Sequence, residues 1–177
     1  MKEYRPIFIS LFKFFSVYLV LTALYYWYLT YYQNELKTCD EFTYRVAKQS
    51  SCLLNCIGIP SQAKHIDQEN YMRFYVNNNF ISIVNEGCNT LSIIILYISF
   101  IIAFANSLRK TCIYLIITVL LIYFTNIIRI SFINYIFYYY PGYGKFSHDY
   151  LFPTFIYGLI MILWIVWIKY FIFKKNK

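Results

Sequence analysis

The chain has 177 residues, of which 60% are hydrophobic and only 14% are charged. A soluble domain typically carries about a quarter charged residues, so this composition excludes an ordinary soluble protein and predicts an integral membrane protein. The formal net charge is +8, but many basic residues flank apolar segments, where they act as topology signals. We therefore expect no nucleic-acid binding.

Four apolar segments follow one another along the chain, at about residues 9–30, 88–108, 111–138 and 150–172. A membrane-spanning helix needs about 20 residues, so each segment is a candidate span. The first has an aromatic-rich core without the small-residue cleavage site of a signal peptide, and we expect a retained helix. The pattern predicts an all-α polytopic membrane protein, with residues 1–177 forming a single integral domain of about four transmembrane helices.

The long connection at about residues 31–87 contains patterns of its own. The stretch from Cys39 to Ile59 has spaced apolar residues that fit an amphipathic or re-entrant helix. Two β-prone runs, Tyr71 to Val76 and Phe80 to Val84, flank three asparagines at positions 77–79. These runs predict a small hairpin within a structured loop.

The distribution of charge predicts the orientation in the membrane. Three basic clusters occur: one precedes or enters the first segment, one lies between the second and third, and one follows the fourth. They are Lys2, Arg5 and Lys13; Arg109 and Lys110; Lys174, Lys175 and Lys177. The positive-inside rule makes that side cytoplasmic. Most acidic residues fall on the other side: Glu35, Asp40, Glu41, Asp67, Glu69, Glu86 and Asp149. Both termini are therefore predicted to be cytoplasmic, and the loop at about residues 31–87 to face outwards.

Cys88 lies at the outer end of the second segment under this topology. Asn89 or Thr90 can cap the following helix, whose backbone N–H groups and dipole would favour a nearby thiolate. Asn85, Glu86 and Gly87 precede the cysteine, which stands just before the second helix.

Arg129 and His148 are predicted to lie on the same side of the membrane. Arg129 follows Cys112 by 17 residues, about 25 Å along a helix, with Asn126 three residues earlier on the same helical face. His148 follows the helix-breaking stretch at residues 141–144 and directly precedes the fourth helix. A thiol, a guanidinium and an imidazole at one membrane surface are the components of a cysteine acyl-transfer site.

Simpler interpretations exist for each of these residues. A free cysteine in an apolar chain is usually an inert packing residue, as we expect for Cys112. Arg129 can extend its charged end to the membrane interface without any chemistry. His148 can be an ordinary interfacial residue, and His65 is a lone loop histidine without an expected role.

The segments Val84-Asn85-Glu86-Gly87-Cys88-Asn89 and Asn126-Ile127-Ile128-Arg129-Ile130, with His148 before the last helix, resemble the exosortase/archaeosortase family. The greatest likeness is to its short members, sometimes called exosortase F. Larger exosortases usually have Glu-Ala-Cys-Ser-Gly where this chain has Glu-Gly-Cys-Asn-Thr, and they have about twice as many helices. These differences bear on the choice of substrate more than on the chemistry.

The resemblance implies a cysteine protease or transpeptidase in the bacterial inner membrane, with an outward-facing catalytic triad of Cys88, Arg129 and His148 and no cofactor or metal. Its partners would be exported proteins that carry a C-terminal motif, a transmembrane helix and a basic tail. Cys88 would attack a peptide carbonyl, His148 would transfer the proton, and Arg129 would stabilise the oxyanion. Water or an amine would then resolve the thioester.

Two other functions are open on the sequence. Cys39, Cys52, Cys56 and Cys88 would all lie outside, as in membrane thiol-disulfide oxidoreductases, although Cys52 and Cys56 have CxxxC spacing rather than the usual CxxC. The pair at positions 52 and 56 can instead form a loop disulfide without catalytic use. The third interpretation is a non-catalytic membrane assembly protein in which the triad is structural.

Overall fold

The structure is a computed structural model that describes residues 5–105 and 107–172. Part of the charge pattern used to predict the orientation, namely Lys2, Lys174, Lys175 and Lys177, lies outside the described residues. Six α-helices and three β-strands are found in the part of the chain that is described. In chain order they are α1 (Arg5–Thr30), α2 (Glu41–Cys56), β1 (Ser61–His65), β2 (Met72–Val76), β3 (Asn79–Val84), α3 (Leu91–Ala103), α4 (Leu108–Tyr139), α5 (Pro141–Phe146) and α6 (Phe152–Trp167).

Within the described residues, three helical stretches are long and apolar enough to cross a membrane: Ile7–Leu36, Leu108–Tyr139 and Pro141–Tyr170. The first and last include π-helical turns, at Tyr31–Leu36 after α1 and at Ser147–Leu151 and Ile168–Ile172 on either side of α6. Large apolar side chains on these helices are exposed, among them Phe12, Trp27 and Ile116. A bilayer would cover such surfaces. The prediction of a helical, polytopic membrane protein is confirmed at this level, but the three-stranded sheet makes the fold mostly helical rather than all-α.

Helix α3 is shorter than the predicted segment at 88–108. It contains 13 residues, about 20 Å of helix, against a hydrocarbon core of about 30 Å. Thr90 has φ +67°, a left-handed conformation that a right-handed helix cannot include, so residues 88–90 do not extend α3. The count of four spanning helices therefore stays a prediction.

Residues 141–144, which the sequence predicted to break the helix, instead lie within the helix α5. Pro141 begins α5, and proline is favoured at the first turn of a helix because its missing N–H has no intrahelical partner there. The helical path thus resumes at residue 141, before the predicted start at about residue 150.

The described residues form two compact units. The first contains residues 5–26, 91–105, 107–122 and 157–172. Inside it, the Tyr114 hydroxyl donates to the carbonyl oxygen of Leu163 at 2.7 Å, and the rings of Phe100 and Trp164 stack with centroids 4.5 Å apart. The second contains residues 27–90 and 123–156 and includes every candidate site residue.

Helix α2 begins at a strong N-cap in the second unit. The side-chain Oδ1 of Asp40 accepts a 3.0 Å hydrogen bond from the backbone N–H of Thr43, which satisfies one of the free donors of the first turn. The amphipathic helix predicted within residues 39–59 is present and spans Glu41–Cys56. Its inner face packs on the sheet, where the buried core includes Val46, Leu54 and Phe74.

The three strands form an antiparallel sheet in the order β1-β2-β3. Asn77 and Asn78 connect β2 to β3 and have φ +49° and +65°, as a two-residue hairpin turn requires. The predicted hairpin is present, with a β-bulge beside Phe74 and Tyr75. Strand β1 adds a third strand that the sequence did not indicate.

Small polar residues let α2 and the second-unit part of α4 approach closely. Ser50 Oγ donates to the carbonyl oxygens of Val46 and Ile127, and Ser131 Oγ donates to those of Ser50 and Ile127. Each hydroxyl thus satisfies backbone groups on both helices, as small residues do at interfaces of membrane helices. This packing fixes the segment of α4 that carries Asn126 and Arg129.

Candidate active site

Cys88 lies in a tight turn between β3 and α3. Its backbone N–H donates to the carbonyl oxygen of Asn85 at 2.9 Å, which closes the turn. The thiol is free and partly buried. The turn therefore presents the sulfur at the edge of the fold rather than within its core.

The residues after Cys88 anchor this turn. The Asn89 amide is fully buried and donates to the Thr43 hydroxyl of α2 at 2.9 Å. Thr90 is also buried, and its hydroxyl makes no hydrogen bond within the described part of the chain. Thr90 is thus not the N-cap that the sequence suggested. A β-branched residue at positive φ stores strain, a feature that concentrates near functional sites.

Asn126 connects the Cys88 turn to Arg129. Its Nδ2 donates to the carbonyl oxygen of Cys88 at 3.0 Å, and its Oδ1 accepts from Arg129 Nη1 at 3.2 Å. The Asn126 side chain is fully buried, whereas Cys88 and Arg129 are partly buried. Asn126 and Arg129 therefore lie on one helical face, as predicted, and the same amide also holds the backbone of Cys88.

His148 lies in the π-helical turn Ser147–Leu151, a local geometry that is frequent at functional sites. Its Nδ1 is 2.8 Å from Oδ1 of Asp149, and both side chains are partly exposed. With Nδ1 held by the carboxylate, Nε2 is the nitrogen left for exchange with a reacting group. Asp149 is therefore a candidate site residue that the sequence reasoning counted only as an outer charge.

Cys88, Arg129 and His148 line one cavity of about 290 Å³. They come from a turn, the helix α4 and the turn before α6, so Cys88 and His148 meet in the cavity although they are 60 positions apart. The remaining wall consists of residues from β3 and α4: Ser82, Ile83, Val84, Ile130, Ile133, Asn134 and Phe137. The structure thus brings together the three residues that the sequence singled out.

The polar part of this wall is internally bonded. Ser82 Oγ donates to Asn134 Oδ1 at 2.7 Å, and Asn134 Nδ2 donates to the carbonyl oxygen of Ile130 at 2.8 Å. The Phe137 ring, which also lines the cavity, packs against Gly144 of α5 so closely that a Cβ there would lie 2.3 Å from ring carbon Cδ1. Gly144 therefore sets the position of the aromatic wall.

A second cavity, of about 430 Å³, also borders Arg129. Its other lining residues are almost entirely apolar: Ile128, Phe132, Leu151, Phe152, Thr154 and Phe155. The arginine thus stands between a cavity that contains the thiol and one suited to hydrocarbon.

The other cysteines differ from Cys88 in their surroundings. Cys39 is buried, and its thiol donates to the carbonyl oxygen of Asp40. Burial above all, and then the nearby carboxylates of Asp40 and Glu86, raise the pKa of the Cys39 thiol to about 12. Such a thiol is protonated at neutral pH and therefore a poor nucleophile.

Cys52 and Cys56 lie on the exposed face of α2, and each has a free thiol. They do not form the loop disulfide considered from the sequence. They are also absent from the wall of the cavity that contains Cys88. Cys112 is likewise free and exposed, on α4.

His65 has a structural position that the sequence did not suggest. Its Nε2 is 3.1 Å from the Thr38 hydroxyl, 3.3 Å from the backbone nitrogen of Cys39 and 2.9 Å from the carbonyl oxygen of Glu69. The imidazole therefore joins the end of β1 to the segment before α2. Within residues 5–105 and 107–172, no three His, Cys, Asp or Glu side chains group closely enough to hold a metal ion.

Comparison with known proteins identifies a family for this chain. The family model described as transmembrane exosortase aligns with residues 8–168, a range that includes the cavity and all three of its candidate residues. No curated protein and no solved structure matches the chain.

Proposed function

Because the chain belongs to the transmembrane exosortase family, we propose that it is a membrane-embedded cysteine transpeptidase or protease that processes sorting signals of exported proteins. The observation that carries the proposal is the single cavity lined by Cys88, Arg129 and His148. A nucleophile, a proton acceptor and a permanent cation are the groups that acyl transfer through a thioester requires.

The first step is attack by the Cys88 thiolate on the carbonyl carbon of a substrate peptide bond. The sulfur–carbon bond forms, and the thiol proton passes to Nε2 of His148. Asp149, bonded to Nδ1, favours the tautomer and the orientation in which Nε2 accepts that proton. Collapse of the tetrahedral intermediate breaks the carbon–nitrogen bond, and His148 returns the proton to the leaving amine.

Arg129 stabilises the negative charge that develops on the carbonyl oxygen. Its guanidinium is permanently charged and offers several N–H donors in a planar arrangement. Asn126 holds one end of that group while binding the carbonyl oxygen of Cys88, so the cation and the nucleophile keep a fixed relationship. Preorganised donors of this kind accelerate acyl transfer because they need not reorganise during the reaction.

The thioester is then resolved by a second nucleophile. Attack by water gives a carboxylic acid, and attack by an amine gives a new amide; each regenerates the Cys88 thiol. Both reactions balance without an oxidant or a cofactor. The chemistry at Cys88 is therefore the same for a protease and for a transpeptidase.

The apolar cavity beside Arg129 supports a substrate that arrives through the membrane. Its lining residues Ile128, Leu151 and Phe155 are also exposed on the surface of the helices, where lipid would surround them. A C-terminal sorting signal with a transmembrane helix and a basic tail would reach the catalytic cavity from this direction. We propose the outer face of the bacterial inner membrane as the location of the site, with both termini cytoplasmic.

The orientation has a direct test. A reporter enzyme active only outside the cytoplasm, fused to the C-terminus, should give no signal, whereas the same reporter inserted after Gln68 should be active. Gln68 lies in the loop between β1 and β2. A strong signal from the C-terminal fusion would invert the topology and remove the site from the outer face.

The function is tested by comparing two sets of cysteine variants. Cys88→Ala should abolish processing of an exported protein with a tailed sorting signal. The double variant Cys52→Ser/Cys56→Ser, which alters exposed thiols outside the cavity, should retain most of it. Mass measurement of the tailed protein in both strains gives the result. Equal loss in both strains would favour a thiol-disulfide oxidoreductase instead.

A further inference from the structure

Strand β3 is an edge strand next to the catalytic cavity. The sheet order β1-β2-β3 gives it one paired neighbour among the described residues. In an antiparallel pair, alternate residues direct their N–H and C=O groups towards the partner strand, and the intervening residues direct theirs to the opposite side. The outer side of β3 therefore carries a row of backbone donors and acceptors.

The two edges of the sheet differ in their protection. Natural proteins protect exposed edges with charged residues and proline, which disfavour pairing with another strand. β1 has Lys64 and follows Pro60, whereas β3 is Asn-Phe-Ile-Ser-Ile-Val, with neither a charge nor a proline. Phe80 and Ile83 of β3 are 55% and 47% exposed. The β3 edge is thus the one left open to pairing.

Three consecutive residues of β3 show where the cavity lies relative to the strand. Ser82, Ile83 and Val84 all line the cavity that contains Cys88. Since successive side chains of a strand point to opposite faces of the sheet, a cavity that touches all three lies alongside the strand edge. β3 ends at Val84, four residues before Cys88, so the edge leads directly to the thiol.

We propose that the substrate binds as an extended strand along the free edge of β3, which delivers its scissile bond to Cys88. This inference rests on the proposed function, because it supplies the binding mode of the same site. Backbone pairing provides affinity that depends little on side chains, and contacts with every second residue provide selectivity. The apolar walls formed by Ile130, Ile133 and Phe137 favour an uncharged peptide segment upstream of the membrane helix of the substrate.

Disulfide trapping tests the proposed strand pairing. The trapping chain carries Ile83→Cys together with Cys88→Ala and serine at the exposed positions 52, 56 and 112. The probe is a tailed reporter that the unaltered chain processes, with a single cysteine moved one residue at a time through the segment before its membrane helix. Diamide oxidation should give crosslinks that alternate with a period of two, because strand side chains alternate.

The matched control places the cysteine on the protected edge. Gln62→Cys lies on β1 and is exposed, and it should give no crosslink with the reporter. A chain that co-purifies with the reporter yet gives uniform crosslinks, or none, from Ile83→Cys would overturn the inference. Preferential crosslinking between two copies at position 83 would also overturn it, since the edge would then serve self-association.

An activity measurement separates this inference from the proposed function. Ile83→Lys should lower processing about fivefold, as expected when the charged side chain weakens the pairing by the equivalent of one backbone hydrogen bond. Gln62→Lys should leave processing unchanged, and both variants should insert into the membrane at normal abundance. If Cys88→Ala abolishes processing while Ile83→Lys has no effect, the proposed function stands and the strand-pairing inference fails.

Discussion

The Asn126 side chain donates a 3.0 Å hydrogen bond to the backbone carbonyl oxygen of Cys88. The same side chain accepts a hydrogen bond from Arg129, and it is fully buried. A buried polar group with both ends bonded is rigid, because release of either bond leaves an unsatisfied partner. Asn126 is therefore a positioning residue that sets the distance between the thiol turn and the arginine.

We expect Asn126→Asp to lower processing about tenfold, because the carbonyl oxygen of Cys88 loses its hydrogen-bond donor. The carboxylate keeps an acceptor for Arg129 but removes the donor to Cys88. The turnover rate at saturating reporter should fall although the abundance of the variant is normal. The alkylation rate of Cys88 should also differ from that of the unaltered chain. Ser99→Ala removes a buried hydroxyl that bonds the backbone within α3 and is the control. Normal turnover and normal alkylation in Asn126→Asp would contradict the positioning role.

The bond between His148 and Asp149 leads to a second prediction. Asp149→Asn should lower processing about tenfold, because a neutral amide orients the imidazole less strongly than a carboxylate does. Asp149→Glu should restore part of the activity, which a purely structural loss would not allow. The measurements are turnover and the alkylation rate of Cys88. Asp67→Asn, an exposed acidic residue in a loop, is the matched control, and equal effects of the two asparagine variants would contradict a specific role for Asp149.

The glycines of α5 offer a matched pair for testing the cavity wall. In Gly144→Ala the new Cβ would meet the Phe137 ring at 2.3 Å, whereas Gly142→Ala has no heavy atom within 4 Å. Because overpacking typically costs about 1–3 kcal/mol, Gly144→Ala should lower the melting temperature and displace Phe137 into the cavity. Gly142→Ala should match the unaltered chain in melting temperature and processing. Similar behaviour of the two variants would show that the Phe137 wall does not depend on Gly144.

Cys39 gives a prediction that depends on pH. The pKa of its thiol is raised from 9.0 to about 12, mainly by burial, so the folded state favours the neutral thiol. The stabilisation is fully present below about pH 9 and is lost as the pH rises towards 12. Between those values, the melting temperature of the unaltered chain should fall more steeply than that of Cys39→Ala. Parallel curves would contradict the raised pKa, as would alkylation of Cys39 at pH 8 without unfolding.

Much of the second unit follows from local sequence patterns. The alternation in Tyr71 to Val76 and Phe80 to Val84 predicted the hairpin, because the asparagine turn admits positive φ. Strand β1 had no such signal, since Ser-Gln-Ala-Lys-His is polar and weakly β-prone. It forms because β2 pairs with it and because Ser61 is fixed by the side chain of Asn55, contacts that only the folded chain supplies.

In the candidate site too, some features were predictable from sequence patterns and others depend on tertiary contacts. Helix lengths and charge predicted Cys88, Arg129 and His148 on one side of the membrane, because a span converts residue number into depth. The side of the membrane stays a prediction, and the structure places the three residues in one cavity. The bonds from Asn126 to Cys88 and from Asp149 to His148 depend on side-chain conformation, which no spacing rule gives. The left-handed backbone conformation of Thr90 could not be predicted either, because β-branched residues rarely adopt it.

The most direct test is to identify the residue that carries the acyl group during processing. Membranes containing the chain and a tailed reporter are quenched in acid, and the reporter-linked peptide is identified by mass spectrometry before and after hydroxylamine, which cleaves thioesters. We expect a hydroxylamine-sensitive adduct on Cys88, and its loss in Cys88→Ala. An adduct on Cys52 or Cys56, or continued processing by Cys88→Ala, would contradict Cys88 as the nucleophile.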